Sequence, residues 1–383
     1  MKSPMLRFAA AGLAALFVSA HLWADESSPS QTGSRLLSDK TIETLLEPIR
    51  EKHEVAGLIA GIVDPPGLRC VGVVGVRKFD SPEPMTVNDK IHLGSDTKAM
   101  TATLLAMLVQ EGKLAWTTTL GGLFPDEKSQ FHADFAGVTV EQLLSHRAGL
   151  PANVGYFAFN KGSLVEQREA MMRKVLAEAP EHPPGTKFLY SNVGYIIAGH
   201  VAEKLTGTSW EDLMTARLFE PLKMSSAGFG PPGTKGRVDQ PWGHRSFFGL
   251  TLAEQTDNPP MLGPAGTVHC SLADWASFVS LHLRAGRGMP SLLKHEAFDA
   301  MHTPPAGEPY ALGWGKHEEP YIDGPLLMHA GSNTFWFALV AISTKHNVAF
   351  LVAANRGPEA GAKACQSALE AMVGHAGLRR EGK

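Results

Sequence analysis

Apolar positions recur along this chain with two different periods. Ile42, Leu45, Leu46 and Ile49 fall at helical spacing between Leu36 and Glu54, which predicts an amphipathic helix. Two runs rich in Val and Ile follow, Ala56 to Val63 and Arg69 to Val76, separated by Asp64-Pro65-Pro66-Gly67. Turn residues between two β-type runs predict an antiparallel pair. From 96 to 225 the period is mostly helical. The segments are Thr97 to Glu111, Thr139 to Ser145, Leu164 to Ala179, Val193 to Leu205 and Trp210 to Leu218. Gly112, Gly149-Leu150-Pro151 and Gly207 supply stop signals. Between Gly228 and Gly266, Pro and Gly break both periods, predicting long irregular loops of the kind that often carry function. Leu272 to Ala285 returns to helix. Phe335 to Ser343 and Val348 to Ala354 read as paired strands around Thr344-Lys345-His346-Asn347, and Glu359 to Val373 reads as a closing helix.

Strands at both ends with helices between them predict the α+β class: an antiparallel sheet flanked by the terminal helices, with a mostly helical inserted domain. The expected division is a sheet subdomain at about 35–93 and 265–383 and a helical subdomain at about 94–264. Composition agrees with a large core, at 383 residues, 44% hydrophobic and 19% charged.

Residues 1–24 depart from this pattern. Lys2 and Arg7 precede an uncharged apolar stretch from Phe8 to Ala20, and both Val18-Ser19-Ala20 and Leu22-Trp23-Ala24 suit a signal peptidase. The expectation is a signal peptide cut after Ala24 or Ala20, leaving a secreted or periplasmic domain at 25–383 with no stable membrane span. Removal takes two positive charges and no negative ones, so the net charge of -3 becomes -5, a balance that argues against nucleic acid. Cys70, Cys270 and Cys365 are too few and too scattered for a disulfide framework or a zinc site; their pairing stays open. The histidines lack metal spacing and are expected mostly at the surface or at helix ends.

The chemistry concentrates in three segments. Ser95-Asp96-Thr97-Lys98 stands where a strand region gives way to a helix. A serine there meets free backbone N–H groups and a favourable dipole, and a lysine one turn on can return over the same face. Burial and a neighbouring cation would depress that lysine far enough to make it a base for the hydroxyl. The pattern is cheap alone: Ser291-Leu292-Leu293-Lys294 matches it too, but follows Pro290 and has no Tyr-x-Asn after it. Tyr190-Ser191-Asn192 comes after Pro184-Gly185-Thr186. Its phenol, near two cations, could ionise in part, and Asn192 offers both a donor and an acceptor. Of three His-x-Gly matches, only His329-Ala330-Gly331 precedes a strong strand. Gly331 would let substrate lie along the backbone there, and the N–H of Ser332 could join that of Ser95 as an oxyanion hole.

Together these segments resemble the serine β-lactamase and penicillin-binding protein superfamily, whose signature includes Ser-x-x-Lys, and within it the class C β-lactamase-like branch that also holds DD-peptidases and esterases. Gln110-Glu111-Gly112-Lys113-Leu114, Leu143-Leu144-Ser145-His146-Arg147-Ala148-Gly149-Leu150-Pro151, Pro221-Leu222-Lys223-Met224 and Gly313-Trp314-Gly315 extend the likeness over nearly all of the mature chain. The resemblance implies a β-lactamase/transpeptidase-like fold and a serine hydrolase without cofactor or metal. Ser95 would be acylated, Lys98 and Tyr190 would relay its proton, and Asn192 would hold the substrate amide or Lys98. Asn153, just after Leu150-Pro151, would add an amide-binding side chain.

Class C β-lactamases usually carry Lys-Thr-Gly where this chain has His-Ala-Gly, a change that weakens recognition of a β-lactam carboxylate and resembles the peptidase and esterase members. The expected substrate is therefore a small-molecule ester or amide, with carboxylesterase or D-amino-acid peptidase activity. The alternatives are a β-lactamase acting on penicillins and cephalosporins, or a β-lactam or peptidoglycan sensor that is acylated with little turnover. If His329 binds a carboxylate, affinity for anionic substrates should rise as pH falls through its ordinary pKa of about 6.5.

Other chemistries lack their signatures. No Gly-x-Ser-x-Gly elbow, His-Glu-x-x-His or Walker loop is present. Gly228-Phe229-Gly230-Pro231-Pro232-Gly233 matches a dinucleotide fingerprint by letter but reads as a turn, since its prolines open no helix. Tyr156, Phe157, Phe159, Trp242, Phe247 and Phe248 could wall an apolar pocket or pack beneath the loops.

Overall fold

The computed structural model describes residues 36–380 except 249, 286–288 and 290, so the expected signal peptide lies outside the described residues. The first helix, α1 (Lys40–Lys52), begins at Asp39, whose carboxylate accepts from the N–H groups of Thr41 and Ile42 and satisfies donors that a first turn leaves unpaired. Strands β1 (Gly57–Asp64) and β2 (Gly67–Gly75) form the expected antiparallel pair. After β3 (Lys90–His92) a single 3-10 turn, Gly94–Asp96, leads directly into α2 (Thr97–Gln110). Residues 97–108 of α2 are all buried, the mark of a helix surrounded by protein on every side. The helical region continues with α3 (Leu120–Leu123), α4 (Val140–Leu144), α5 (Leu164–Leu176), α6 (Asn192–Thr206) and α7 (Trp210–Met214).

The segment from 228 to 266 is more ordered than its composition predicts. It holds a short strand, β4 (Gly228–Phe229), and a hairpin of β5 (Gly243–Phe247) and β6 (Leu250–Glu254). A 3-10 turn (Pro260–Leu262) and α8 (Gly263–Gly266) follow. Both hairpin strands are mostly polar or partly exposed, so neither shows a strong alternation. Phe247 and Phe248 stand out at the tip, 51% and 92% exposed, and Phe157 is 80% exposed, so these three side chains face outward. The Gly228–Gly233 stretch passes from β4 into bends and opens no helix.

Strand β7 (Val268–Ser271), helices α9 (Leu272–Leu283) and α10 (His295–His302), strands β8 (Gly315–His317), β9 (Leu326–Ser332), β10 (Phe337–Ser343) and β11 (Val348–Ala354), and helix α11 (Pro358–His375) complete the chain. The main sheet has the order β2-β1-β11-β10-β9-β8, antiparallel throughout. It is the antiparallel sheet of an α+β fold. Ile59 pairs with Ala353, so the two ends of the chain meet at the sheet centre. One face packs Ile42 and Leu46 of α1 against Ala368, Leu369 and Met372 of α11. The opposite face packs on the core built around α2, α6 and α9. On the outer side of β9, β8 pairs only with Leu326–Met328. The remaining half of β9, from His329 to Ser332, runs past its short partner to the start of α2.

Candidate active site

Ser95 sits in the 3-10 turn that starts α2, half-buried. Backbone contact with β9 fixes the turn. A Cβ on Gly331 would lie 1.8 Å from the carbonyl oxygen of Leu93 and 2.7 Å from the nitrogen of Ser95. Gly94 has φ +51, and a Cβ there would come within 2.3 Å of the nitrogen of Ser332. Only glycines allow the two backbones so close, and the approach brings the backbone of Ser95 beside that of Gly331 and Ser332. The Ser332 hydroxyl is already used: it donates to the carbonyl of Trp336 and accepts from the N–H of Thr334.

Lys98 is fully buried one turn along α2. Its Nζ lies 3.0 Å from Ser95 Oγ, 2.7 Å from Asn192 Oδ1 and 2.7 Å from the carbonyl oxygen of Ala265 in α8. Burial holds the amine well below its ordinary pKa. The nearby charge comes from Asp96 and opposes that shift, so desolvation, and not the expected neighbouring cation, is the cause. Burial also pushes the Asp96 carboxyl far up; neither of its oxygens has a hydrogen-bond partner among the described residues. A neutral amine fits its three neighbours. Its two N–H bonds go to the two oxygens that can only accept, Asn192 Oδ1 and Ala265 O. Its lone pair then faces the hydroxyl of Ser95.

Tyr190 is half-buried, with its ring centroid 4.9 Å from Lys98 Nζ. Burial raises its phenol pKa, and the hydrogen-bonding neighbour Ser95 offsets this only in part. The partial ionisation expected from nearby cations does not occur. Asn192 begins α6; its Nδ2 donates to Asn153 Oδ1 at 2.8 Å, which also accepts from the Tyr156 hydroxyl at 3.0 Å. Asn153 is exposed, and its own Nδ2 donates to no protein group among the described residues.

The structure corrects the reading of His329. The residue lies within β9, one strand ahead of the β10 that its motif precedes, and its side chain is buried. Nε2 is 2.9 Å from the Tyr310 hydroxyl, and Nδ1 is 3.0 Å from the carbonyl of Ala330 and 3.4 Å from Asp96 Oδ1. Burial lowers its pKa to about 3. Such an imidazole neither reaches a substrate carboxylate nor charges near pH 6.5, so the pH dependence expected from it falls away.

Six further histidines, His92, His146, His200, His244, His269 and His282, are interior, while His53, His132, His182, His295, His302, His317, His346 and His375 lie at least partly exposed, several of them at helix ends, as expected. Among the described residues no cluster of ligands could hold a metal, and Cys70, Cys270 and Cys365 are free thiols. Ser291 lies in a loop and Lys294 only caps α10, without contact to the Ser95 site. Several groups at the site carry no short motif. Ala265 contributes a carbonyl. His92 accepts the Gly94 N–H at Nδ1 and binds Asp257 Oδ2 through Nε2 at 2.7 Å. Asp257 Oδ1 accepts from Asn333 Nδ2 at 2.8 Å, and Asn333 Oδ1 in turn accepts the N–H groups of Phe335 and Trp336.

Residues 42–371 match the family model Beta-lactamase. Protein flp of Staphylococcus aureus strain MW2 is 22% identical over 342 residues, covering 88% of this chain and 67% of that protein. The unguisins hydrolase ungD' of Aspergillus campestris is 24% identical over 308 residues, covering 76% of this chain but 57% of that protein. Among solved structures, SurE has a TM-score of 0.73 at 27% identity, covering 88% of this chain and 76% of its own. D-alanine carboxypeptidase AmpC from Burkholderia cenocepacia has a TM-score of 0.69 at 22% identity, covering 86% and 98%, a likeness of fold alone. No helix among the described residues is long and apolar enough to cross a membrane. With the family match running from α1 into α11, the chain belongs to the β-lactamase family of serine hydrolases.

Proposed function

We propose that this protein hydrolyses an ester or amide through an acyl-enzyme on Ser95, as a carboxylesterase or D-amino-acid peptidase. One observation carries the reading: the buried Lys98 Nζ lies 3.0 Å from Ser95 Oγ while Asn192 Oδ1 and Ala265 O, which can only accept, occupy its other two contacts. In the first step the Ser95 proton passes to Lys98 Nζ as Oγ bonds to the substrate carbonyl carbon. The oxyanion that forms would be met by the N–H groups of Ser95 and Ser332. Lys98 then gives up the proton through the Tyr190 phenol to the departing alkoxide or amine, and the bond to that group breaks. Water repeats the sequence in reverse, its proton going to the same base as it attacks the acyl carbon, and Ser95 is restored. Tyr190 stays protonated at neutral pH, so it acts as a conduit and not as a phenolate base. Asn192 fixes the amine, and Asn153 has a donor to offer to a substrate amide.

The fate of His329 supports the ester or peptide reading over the β-lactamase one. An inward, uncharged imidazole followed by Ala330 presents no cation from this segment to a β-lactam carboxylate. One similar structure points the same way: SurE has been solved with D-Leu.

Mass spectrometry of the mature protein and of Ser95→Ala tests the proposal, each incubated with a p-nitrophenyl ester and, separately, a chromogenic cephalosporin. The expected result is ester turnover with little cephalosporin turnover, lost in Ser95→Ala. Fast cephalosporin turnover would make it a β-lactamase, a Ser95 adduct without turnover would make it a sensor, and ester turnover surviving Ser95→Ala would overturn the assignment.

A further inference from the structure

His146 follows α4, far in sequence from the Ser95 and Tyr190 segments. It is buried, yet it has φ +59, in the left-handed region that residues with a Cβ enter at a cost and that Asn, Asp and His tolerate better than most. Two hydrogen bonds run from it to one short segment. Its backbone carbonyl accepts the N–H of Leu189 at 2.8 Å, and its Nδ1 accepts the N–H of Ser191 at 3.0 Å. These are the two neighbours of Tyr190. The ring itself lies 4.3 Å, centroid to centroid, from the Tyr190 ring.

We propose that His146 is the positioning residue of Tyr190: it grips the backbone on both sides of the phenol and supplies one wall against which the ring rests. The inference depends on the acyl-transfer role given to Tyr190 above. The grip requires Nδ1 to be an acceptor, hence unprotonated. The groups facing it favour that state. Burial depresses the imidazole well below its ordinary pKa, and Lys98 and His329 act in the same direction. Tyr195 and Tyr310 complete the surroundings, with ring centroids 5.2 Å and 4.6 Å away. The Tyr195 hydroxyl donates to Leu144 O, and the Tyr310 hydroxyl pairs with His329. The proton of the neutral ring is therefore on Nε2, which has no hydrogen-bond partner among the described residues.

A displacement of a proton-transfer group by about 1 Å lowers rates by about a hundredfold. Removal of the grip is therefore expected to act on kcat. The test compares ester hydrolysis by His146→Ala, His146→Asn and His146→Gln, each in the wild-type and Tyr190→Phe backgrounds, well below the melting temperature of each variant. Asn sets an acceptor oxygen near the place of Nδ1 and tolerates positive φ; Gln carries the same amide but sets it one methylene further out. The expected results are a fall in kcat of about a hundredfold for Ala and Gln with KM within about twofold, and rescue to within about threefold by Asn. Where Tyr190 is already Phe, His146→Ala should lower kcat by no more than about twofold further.

Wild-type kcat in His146→Ala, equal rates for Asn and Gln, or an undiminished effect in the Tyr190→Phe background would each overturn the inference. Should the alanine variant not fold, the Asn and Gln pair makes the same distinction. Ester turnover that survives Ser95→Ala would remove the acyl-transfer reading and this inference with it. Turnover that needs Ser95 but ignores His146 would remove the inference alone.

Discussion

At the scale of single residues, the central feature is an amine whose pKa is lowered by burial without a cationic neighbour. Lys98 is enclosed by the α2 core, and Asp96, the acid beside it, is so deeply buried that its own carboxyl is pushed far up. An ionised Asp96 would hold the lysine proton in place; a protonated one leaves desolvation to remove it. The pH dependence follows from this sign. Lys98 gains basicity as pH rises through its depressed pKa, so ester kcat/KM should climb and level off well below 10.5, and a pH–rate profile reads this directly. Lys98→Met keeps the length of the side chain and removes the base. It should lower kcat by about 10²–10⁴, the usual contribution of general base catalysis, with the folded state retained by near-UV circular dichroism. A plateau unchanged in Lys98→Met would transfer the role to another group.

Among elements, the site is a junction that two loops hold shut. The turn before α2 and the last residue of β9 each supply one N–H to the proposed oxyanion hole, and Asp257 ties the two segments together. One of its oxygens binds His92, which holds Gly94, and the other binds Asn333, which holds the chain after Ser332. Asp257→Ala removes both ties at once. Orphaned buried partners cost about 1–3 kcal/mol, so a drop in melting temperature of roughly 2–6 °C is expected. A loss of kcat of about tenfold should accompany it, since one missing oxyanion donor is worth 10²–10³ and here the donors are loosened, not removed. Calorimetry and steady-state kinetics together check this; a stability loss with full kcat would show that the tie is structural only.

Over the whole molecule, buried neutral histidines link the fold to pH. His244 and His269 have pKa values lowered to about 4 and His329 to about 3, all by burial. In the unfolded chain these rings protonate near 6.5. Between about 6.5 and 4 the unfolded state therefore binds more protons than the folded one, so stability is full above that window and is lost as pH falls through it. Each ring contributes about 1.4 kcal/mol per pH unit there. Thermal melts at pH 7.5, 6, 5 and 4 should show the melting temperature falling at every step. A melting temperature flat down to pH 4 would contradict the burial of these rings.

Much of this was legible in the sequence because much of it is local. Periods of apolar residues marked α1, α2, α5, α6, α9 and α11, and runs of β-branched residues marked β1, β2, β10 and β11, since each signal lies within the element it forms. The spacing from Ser95 to Lys98 is one helical turn, so the contact between them was also a local matter. Other features depended on pairing and burial between distant segments. The polar hairpin β5–β6 and the strand β9 show weak alternation and form because neighbours complete them. The Ala265 carbonyl and Asp257 come from a stretch whose Pro and Gly content concealed its order. His329 and His146 are both histidines in short motifs, and nothing local tells them apart. Tertiary packing turned one inward against Tyr310 and set the other around Tyr190, because the state of an imidazole depends on the water and charges that the rest of the fold leaves around it.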